Sequence, residues 1–257
     1  SYTADTITLL ATDGQSYQYE CTSYTYDVGD LVGVNIAADG TVSLKRLSPT
    51  RLSGKVNSEG TKIGSTPLAD GVEILDVYEG SGTRVFPSRL AGITLNKDMV
   101  LYYTLNGSGE IDRLILEDVT GDNYHYGILT DMVEIPTGTL TTYYTYVYDV
   151  GGTTYTLANS TTGFPVSTGG IMLKGDLNNP DKMYRLTKLE ADRISGNLLI
   201  AGNRSYTMAD DVVIYEYRNG SYYLSSAQRV TEKGLSLTGW YDKAESSGGR
   251  IRIVVAR

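Results

Sequence analysis

Apolar residues in this chain recur with a period of two over short stretches and almost nowhere with the period of a helix. Thr6-Ile7-Thr8-Leu9-Leu10, Tyr143-Tyr144-Thr145-Tyr146-Val147-Tyr148 and Val212-Val213-Ile214-Tyr215-Glu216-Tyr217 are rich in β-branched and aromatic residues, which suit a pleated, half-buried surface. Between such stretches stand Asp13-Gly14, Asp39-Gly40, Asn106-Gly107, Gly151-Gly152 and Asn219-Gly220, residues that tolerate the positive φ of tight hairpin turns. No window of a dozen residues carries helical periodicity bracketed by caps. Only Pro87-Ser88-Arg89-Leu90 and its counterpart at Ser225-Ser226-Ala227-Gln228 predict a helical turn. The pattern predicts an all-β chain.

A longer period lies over the short one. Leu68-Ala69-Asp70-Gly71-Val72-Glu73-Ile74-Leu75-Asp76 aligns without a gap on Met208-Ala209-Asp210-Asp211-Val212-Val213-Ile214-Tyr215-Glu216, and Leu52-Ser53-Gly54 on Ile194-Ser195-Gly196. Asp13-Gly14-Gln15-Ser16-Tyr17 stands opposite Gly151-Gly152-Thr153-Thr154-Tyr155 at nearly the same offset, about 140 residues. The expected architecture is a duplicated A-B-A′-B′ series of modules over residues 1–50, 51–120, 121–190 and 191–257. Four or five short strands cannot cover both faces of an open sheet, so each module is expected to close as a small β-barrel or sandwich. Module A′ begins near Tyr126, whose counterpart in A would precede Ser1; the expectation is a chain that starts inside a repeat, a fragment of a longer protein.

Composition narrows the chemistry. The 257 residues carry 22 basic and 30 acidic side chains, a net charge of −8, which disfavours a nucleic-acid surface because such surfaces are built from clustered Lys and Arg. No apolar run is long enough to span a bilayer, so no membrane insertion is expected. One His and one Cys leave too few ligands for zinc or copper and no intramolecular disulfide. Cys21, in an alternating segment, reads as a buried structural thiol; His125 reads as structural or solvated. Gly175-Asp176-Leu177-Asn178-Asn179-Pro180-Asp181 superficially follows a calcium loop, but Pro180 stands where a ligand belongs, and a hairpin turn is the better account. Acids recur in equivalent positions, Asp70 with Asp210 and Asp76 with Glu216, which suits turn formation and solvation better than a catalytic pair. No catalytic, metal or cofactor-binding residue is assigned, and no cofactor is expected.

Tyrosine is the exception: 22 Tyr against two Phe and one Trp. Rings cluster at Tyr17, Tyr19, Tyr24 and Tyr26, at 143–148, and at 215–223. Exposed rings on a rigid sheet stack on sugars, and Tyr143, Tyr146, Tyr148 and Trp240 are the candidates for such stacking. The alternative is that Tyr and Thr are cross-strand pairs stabilising the sheet by about 0.2–1 kcal/mol each.

Gly29-Asp30-Leu31-Val32, Asp39-Gly40-Thr41-Val42 and Ala69-Asp70-Gly71-Val72-Glu73-Ile74-Leu75-Asp76-Val77-Tyr78 resemble the β-rich repeats of large exported clostridial surface proteins, which often carry S-layer homology domains elsewhere. The resemblance implies an extracellular, envelope-associated, non-enzymatic chain acting as spacer or interaction scaffold, with cell-wall polysaccharide or other surface proteins as candidate partners. It supplies no catalytic residues. A carbohydrate- or cell-wall-binding module using the Tyr-rich strands is the alternative, followed by a virion-type structural protein and a hydrolase.

Overall fold

The computed structural model describes residues 5–21, 26–138 and 141–257. About 59% of the chain is strand and 7% helix, arranged as several curled sheets and half-barrels, so the fold is all-β. Two units are distinguished, residues 1–123 with 246–248, and residues 124–245 with 249–257.

The first unit opens with two hairpins. Strand β1 (Asp5–Leu10) pairs with β2 (Ser16–Cys21) across Asp13-Gly14, and β3 (Val32–Ile36) with β4 (Val42–Arg46) across Asp39-Gly40. In both turns the Asp carboxylate accepts a hydrogen bond from the backbone N–H two residues on, at 2.8 Å from Gln15 and 2.9 Å from Thr41, the local bond that makes Asp a turn residue. The remainder comprises β5 (Gly54–Lys55), β6 (Lys62–Ile63), the long β7 (Thr66–Tyr78), β8 (Ser81–Val85), a one-turn helix α1 (Pro87–Leu90), β9 (Thr94–Leu95), β10 (Val100–Leu105) and β11 (Ile111–Glu117). The sheet order is β10-β11-β7-β6, with β8 also on β7 and β5 on β9. Strand β11 lies parallel to β7. Val56, Ile74, Leu90, Ile93, Ile111, Leu114 and Leu116, all fully buried, fill its interior; each contributes roughly 1.5–3 kcal/mol over an exposed side chain.

The second unit holds two sheets. Strands β12 (His125–Pro136), β13 (Thr142–Val150), β14 (Thr153–Ser160), β15 (Gly169–Asp176) and β16 (Asn179–Arg185) form one, in the order β14-β13-β12-β15-β16. The other contains β17 (Thr187–Ala191), β18 (Arg193–Ser195), β19 (Leu198–Ala201), β20 (Arg204–Arg218), β21 (Ser221–Leu224), helix α2 (Ala227–Glu232), β22 (Leu237–Tyr241) and β23 (Ile251–Ala256). Its order is β17-β22-β23-β20-β19-β18, with β21 on β20. Strand β17 thus joins this sheet ahead of the expected module start at residue 191. The two sheets are connected by Leu186 alone, which is buried and donates its N–H to the Gly170 carbonyl at 2.9 Å.

Several relations recur across the two units. The long strands β7 and β20 each pair in parallel with the last strand of their sheet, and in each the pairing is interrupted, at residues 69–72 and 209–212. Exposed Asp70 and Asp210 sit in these interruptions. Each long strand turns into a short antiparallel partner through Glu79-Gly80 or Asn219-Gly220, all four with positive φ, and a short α-helix, α1 or α2, comes next. The hairpin glycines match as well: a Cβ on Gly14 would lie 2.8 Å from Arg84 Cβ, and one on Gly152 2.7 Å from a Leu224 methyl. The main difference is β12. It lies between β13 and β15 and joins their hairpins into one sheet, whereas β1–β2 and β3–β4 remain separate two-stranded pairs.

Candidate functional site

The four candidate stacking residues do not form a row. Alternation along β13 places Tyr144, Tyr146 and Tyr148 on one face and Tyr143 on the other. Tyr146 and Tyr148 are 0% exposed and Trp240 is 6% exposed; only Tyr143, at 36%, faces outward. The stacking assignment of Tyr146 and Tyr148 is therefore corrected: with no accessible ring face they are core. Their hydroxyls are used internally. Tyr146 accepts from Phe164 N–H at 2.8 Å and donates to the Thr162 carbonyl at 3.2 Å; Tyr148 donates to the Leu177 carbonyl at 2.7 Å. Tyr148 stacks on Tyr155 with ring centroids 5.9 Å apart, and Tyr146 meets Phe164 edge-on at 5.4 Å. Burial pushes the Tyr148 hydroxyl up to about 12. Tyrosine here does the work of phenylalanine while pinning loop backbone. Tyr143 pairs with Ile135, itself exposed.

Tyr215 performs the same service between sheets. It is fully buried in β20, accepts from Gly151 N–H at 3.1 Å and donates to the Asp149 carbonyl at 3.4 Å, gripping the β13–β14 turn. Burial is the main cause that raises its ionisation well above the ordinary phenol range, with the bond to Asp149 second. Elsewhere in the same unit, Arg252, 1% exposed, donates from Nε to Asp242 at 2.9 Å and lies 4.6 Å from the ring centre of Tyr126, whose hydroxyl bonds Asp242 at 3.2 Å. A buried pair of this kind offsets its desolvation only because each charge has further partners.

The recurring acids need a second correction, since Asp76 and Glu216 are neither turn formers nor solvated. Asp76 is 0% exposed and accepts from Val119 N–H at 3.0 Å, Thr120 N–H at 2.6 Å and the Thr120 hydroxyl at 2.6 Å. Glu216, also buried, accepts from Lys233 Nζ at 2.6 Å and Arg229 Nε at 2.9 Å. Those two cations hold its carboxyl at about 2, Lys233 being the larger cause. Only the strand register, which turns both acids inward beside their parallel partners, reveals this.

Asp176 accepts from Asn178 N–H at 2.8 Å within the β15–β16 hairpin, and among the described residues no three metal-ligating side chains gather. His125 is exposed at the start of β12, opposite Leu173. The side chain of Cys21, and Tyr24, lie outside the described residues.

A groove of about 520 Å³ in the second unit is open to a ligand. Arg185, Lys188, Arg257 and Tyr222 line it, as does the mostly buried Trp240, which packs against Gly169 and Gly170. Lys188 is paired with Glu190 at 2.6 Å, while Arg257 lies over the Tyr217 ring at 5.0 Å. The sequence singled out Trp240 as the only tryptophan but not the cations, which come from β16, β17 and the residue after β23. Chemically the groove suits a ring-bearing ligand with an anionic substituent. No family model, curated protein or solved structure matches the chain.

Proposed function

We propose that this chain is a non-enzymatic spacer or interaction scaffold of a bacterial cell-surface protein, acting outside the cell and associated with its envelope. The observation that carries the reading is the internal use of the side chains that chemistry would otherwise need. Tyr146, Tyr148 and Tyr215 bind loop backbone, Asp76 holds the residues after β11, and Glu216 ties down α2. The single-residue connection at Leu186 adds support, because it leaves no slack between the two sheets of the second unit. A duplicated A-B-A′-B′ origin draws support from the parallel long strands interrupted at equivalent positions.

A second reading, binding of cell-wall polysaccharide, rests on the basic, aromatic groove rather than on the β13 face. The two are separated by co-sedimenting the purified chain with isolated sacculi and insoluble polysaccharides, with Arg185→Glu/Tyr222→Ala alongside. The scaffold reading expects no saturable pelleting. Saturable pelleting that the double variant abolishes replaces it with the binding reading, and pelleting unaffected by the variant rules out the groove.

A further inference from the structure

In the second unit, the first and last strands of each sheet segment run in the same direction on either side of one middle strand. In one sheet these are β17, β22 and β23. Thr187 stands opposite Tyr241, which stands opposite Ile251; at the other end Ala191 stands opposite Leu237, and Leu237 opposite Ala256. The chain enters the triplet at Thr187 and leaves at Ala256, the opposite corner. In the other sheet β12, β15 and β16 repeat the plan: His125 pairs with Leu173 and Leu173 with Met183, while the chain leaves from Arg185 beside Ile171.

We propose that these two triplets are force clamps, so that tension drawn along the chain is resisted by whole strand ladders loaded in shear. This rests on the scaffold reading, which supplies the tension. Pulling back on Thr187 and forward on Ala256 slides β17 and β23 in opposite directions past β22. Ladder hydrogen bonds run perpendicular to the strands, so sliding strains every bond of a ladder at once, whereas peeling opens them one after another. Glu190 adds a cross-strand tie, accepting from the Thr238 hydroxyl at 3.0 Å. The buried Leu186 passes tension directly from one triplet to the next.

The first unit carries a shorter version. Thr50 donates its N–H to the Leu101 carbonyl at 3.0 Å, and its hydroxyl accepts from Tyr103 N–H at 2.8 Å and donates to the Tyr103 carbonyl at 3.1 Å. This single-residue clasp lies along β10, which pairs with β11. Fewer bonds share the force, so it should yield first.

The test is single-molecule force spectroscopy of the full chain held through its two ends, since forced unfolding reads the barrier rather than equilibrium stability. The expected trace contains two high-force ruptures, which release about 200 Å for residues 125–185 and about 240 Å for residues 187–256, less the folded separation of their ends. Weaker events from the first unit should precede them. A Cys21→Ser/Thr187→Cys/Ala244→Cys variant, pulled through its two new cysteines, loads β17 and β22 at one shared end and should open at a several-fold lower force. Equal forces in the two geometries overturn the proposal. So does a trace of the unaltered chain in which these two lengths are released at or below the forces of the first unit, which needs no variant to fold. A low rupture force with no pelleting removes the clamp and leaves the scaffold; saturable pelleting that Arg185→Glu/Tyr222→Ala abolishes removes the scaffold whatever the force.

Discussion

Asp76 illustrates how one buried side chain fixes the route of the backbone. Its two oxygens satisfy two amides and a hydroxyl that no water reaches. Asp76→Ala strands those donors, and a loss of about 3 kcal/mol follows from the cost of unsatisfied buried groups. The readout is a lower urea midpoint at unchanged slope; a loss below about 0.5 kcal/mol, the range of ordinary surface changes, would sink the assignment. Gly170 makes a complementary case. A Cβ there would stand 2.4 Å from Trp240 Cγ, so Gly170→Val should cost about 1–3 kcal/mol by overpacking and shift the emission of the only tryptophan to the red. Gly107→Ala, where nothing lies within 4 Å, is the control and should leave that emission unmoved.

At the scale of elements, α2 is too short to persist alone. Ser226 caps it, accepting from Arg229 N–H at 3.3 Å, and Glu216 binds both Arg229 and Lys233. Because the folded carboxyl ionises near 2 and an unfolded Glu near 4.3, the folded state favours the charged form. Its contribution is complete above about pH 4.5 and is lost as pH falls toward 2. Glu216→Gln should therefore lower stability at pH 7, and the gap to the parent should close between these limits. Urea midpoints taken across pH 2–7 check this, and a gap constant over the range would contradict the ion-pair account. The repeated offset marked residue 216 as equivalent to residue 76. It did not reveal that one acid would hold a loop and the other a helix, because each partner comes from a separate crossing of the sheet.

Across the whole molecule, the tyrosines among the described residues divide by burial. Tyr148 ionises only at about 12 and Tyr215 is raised further by burial, so the folded chain favours their neutral forms. That stability is intact below about pH 10 and is lost as pH rises through the folded values. Absorbance titration followed with far-UV dichroism should show the last phenols ionising only as the sheets unfold. Ionisation of every phenol with the sheets intact would refute the division. The sequence alone determined the strands, the hairpin turns and both helical turns, because alternation, Gly-containing dipeptides and Pro act within a few residues. It also carried the 140-residue offset, since repeated local patterns need no coordinates. Only the tertiary structure decided which face of each strand is covered, as burial depends on partners far along the chain. Thus Tyr146 and Tyr148 became core, Asp76 and Glu216 became internal anchors, and Arg185, Lys188, Arg257 and Trp240 came to line one groove.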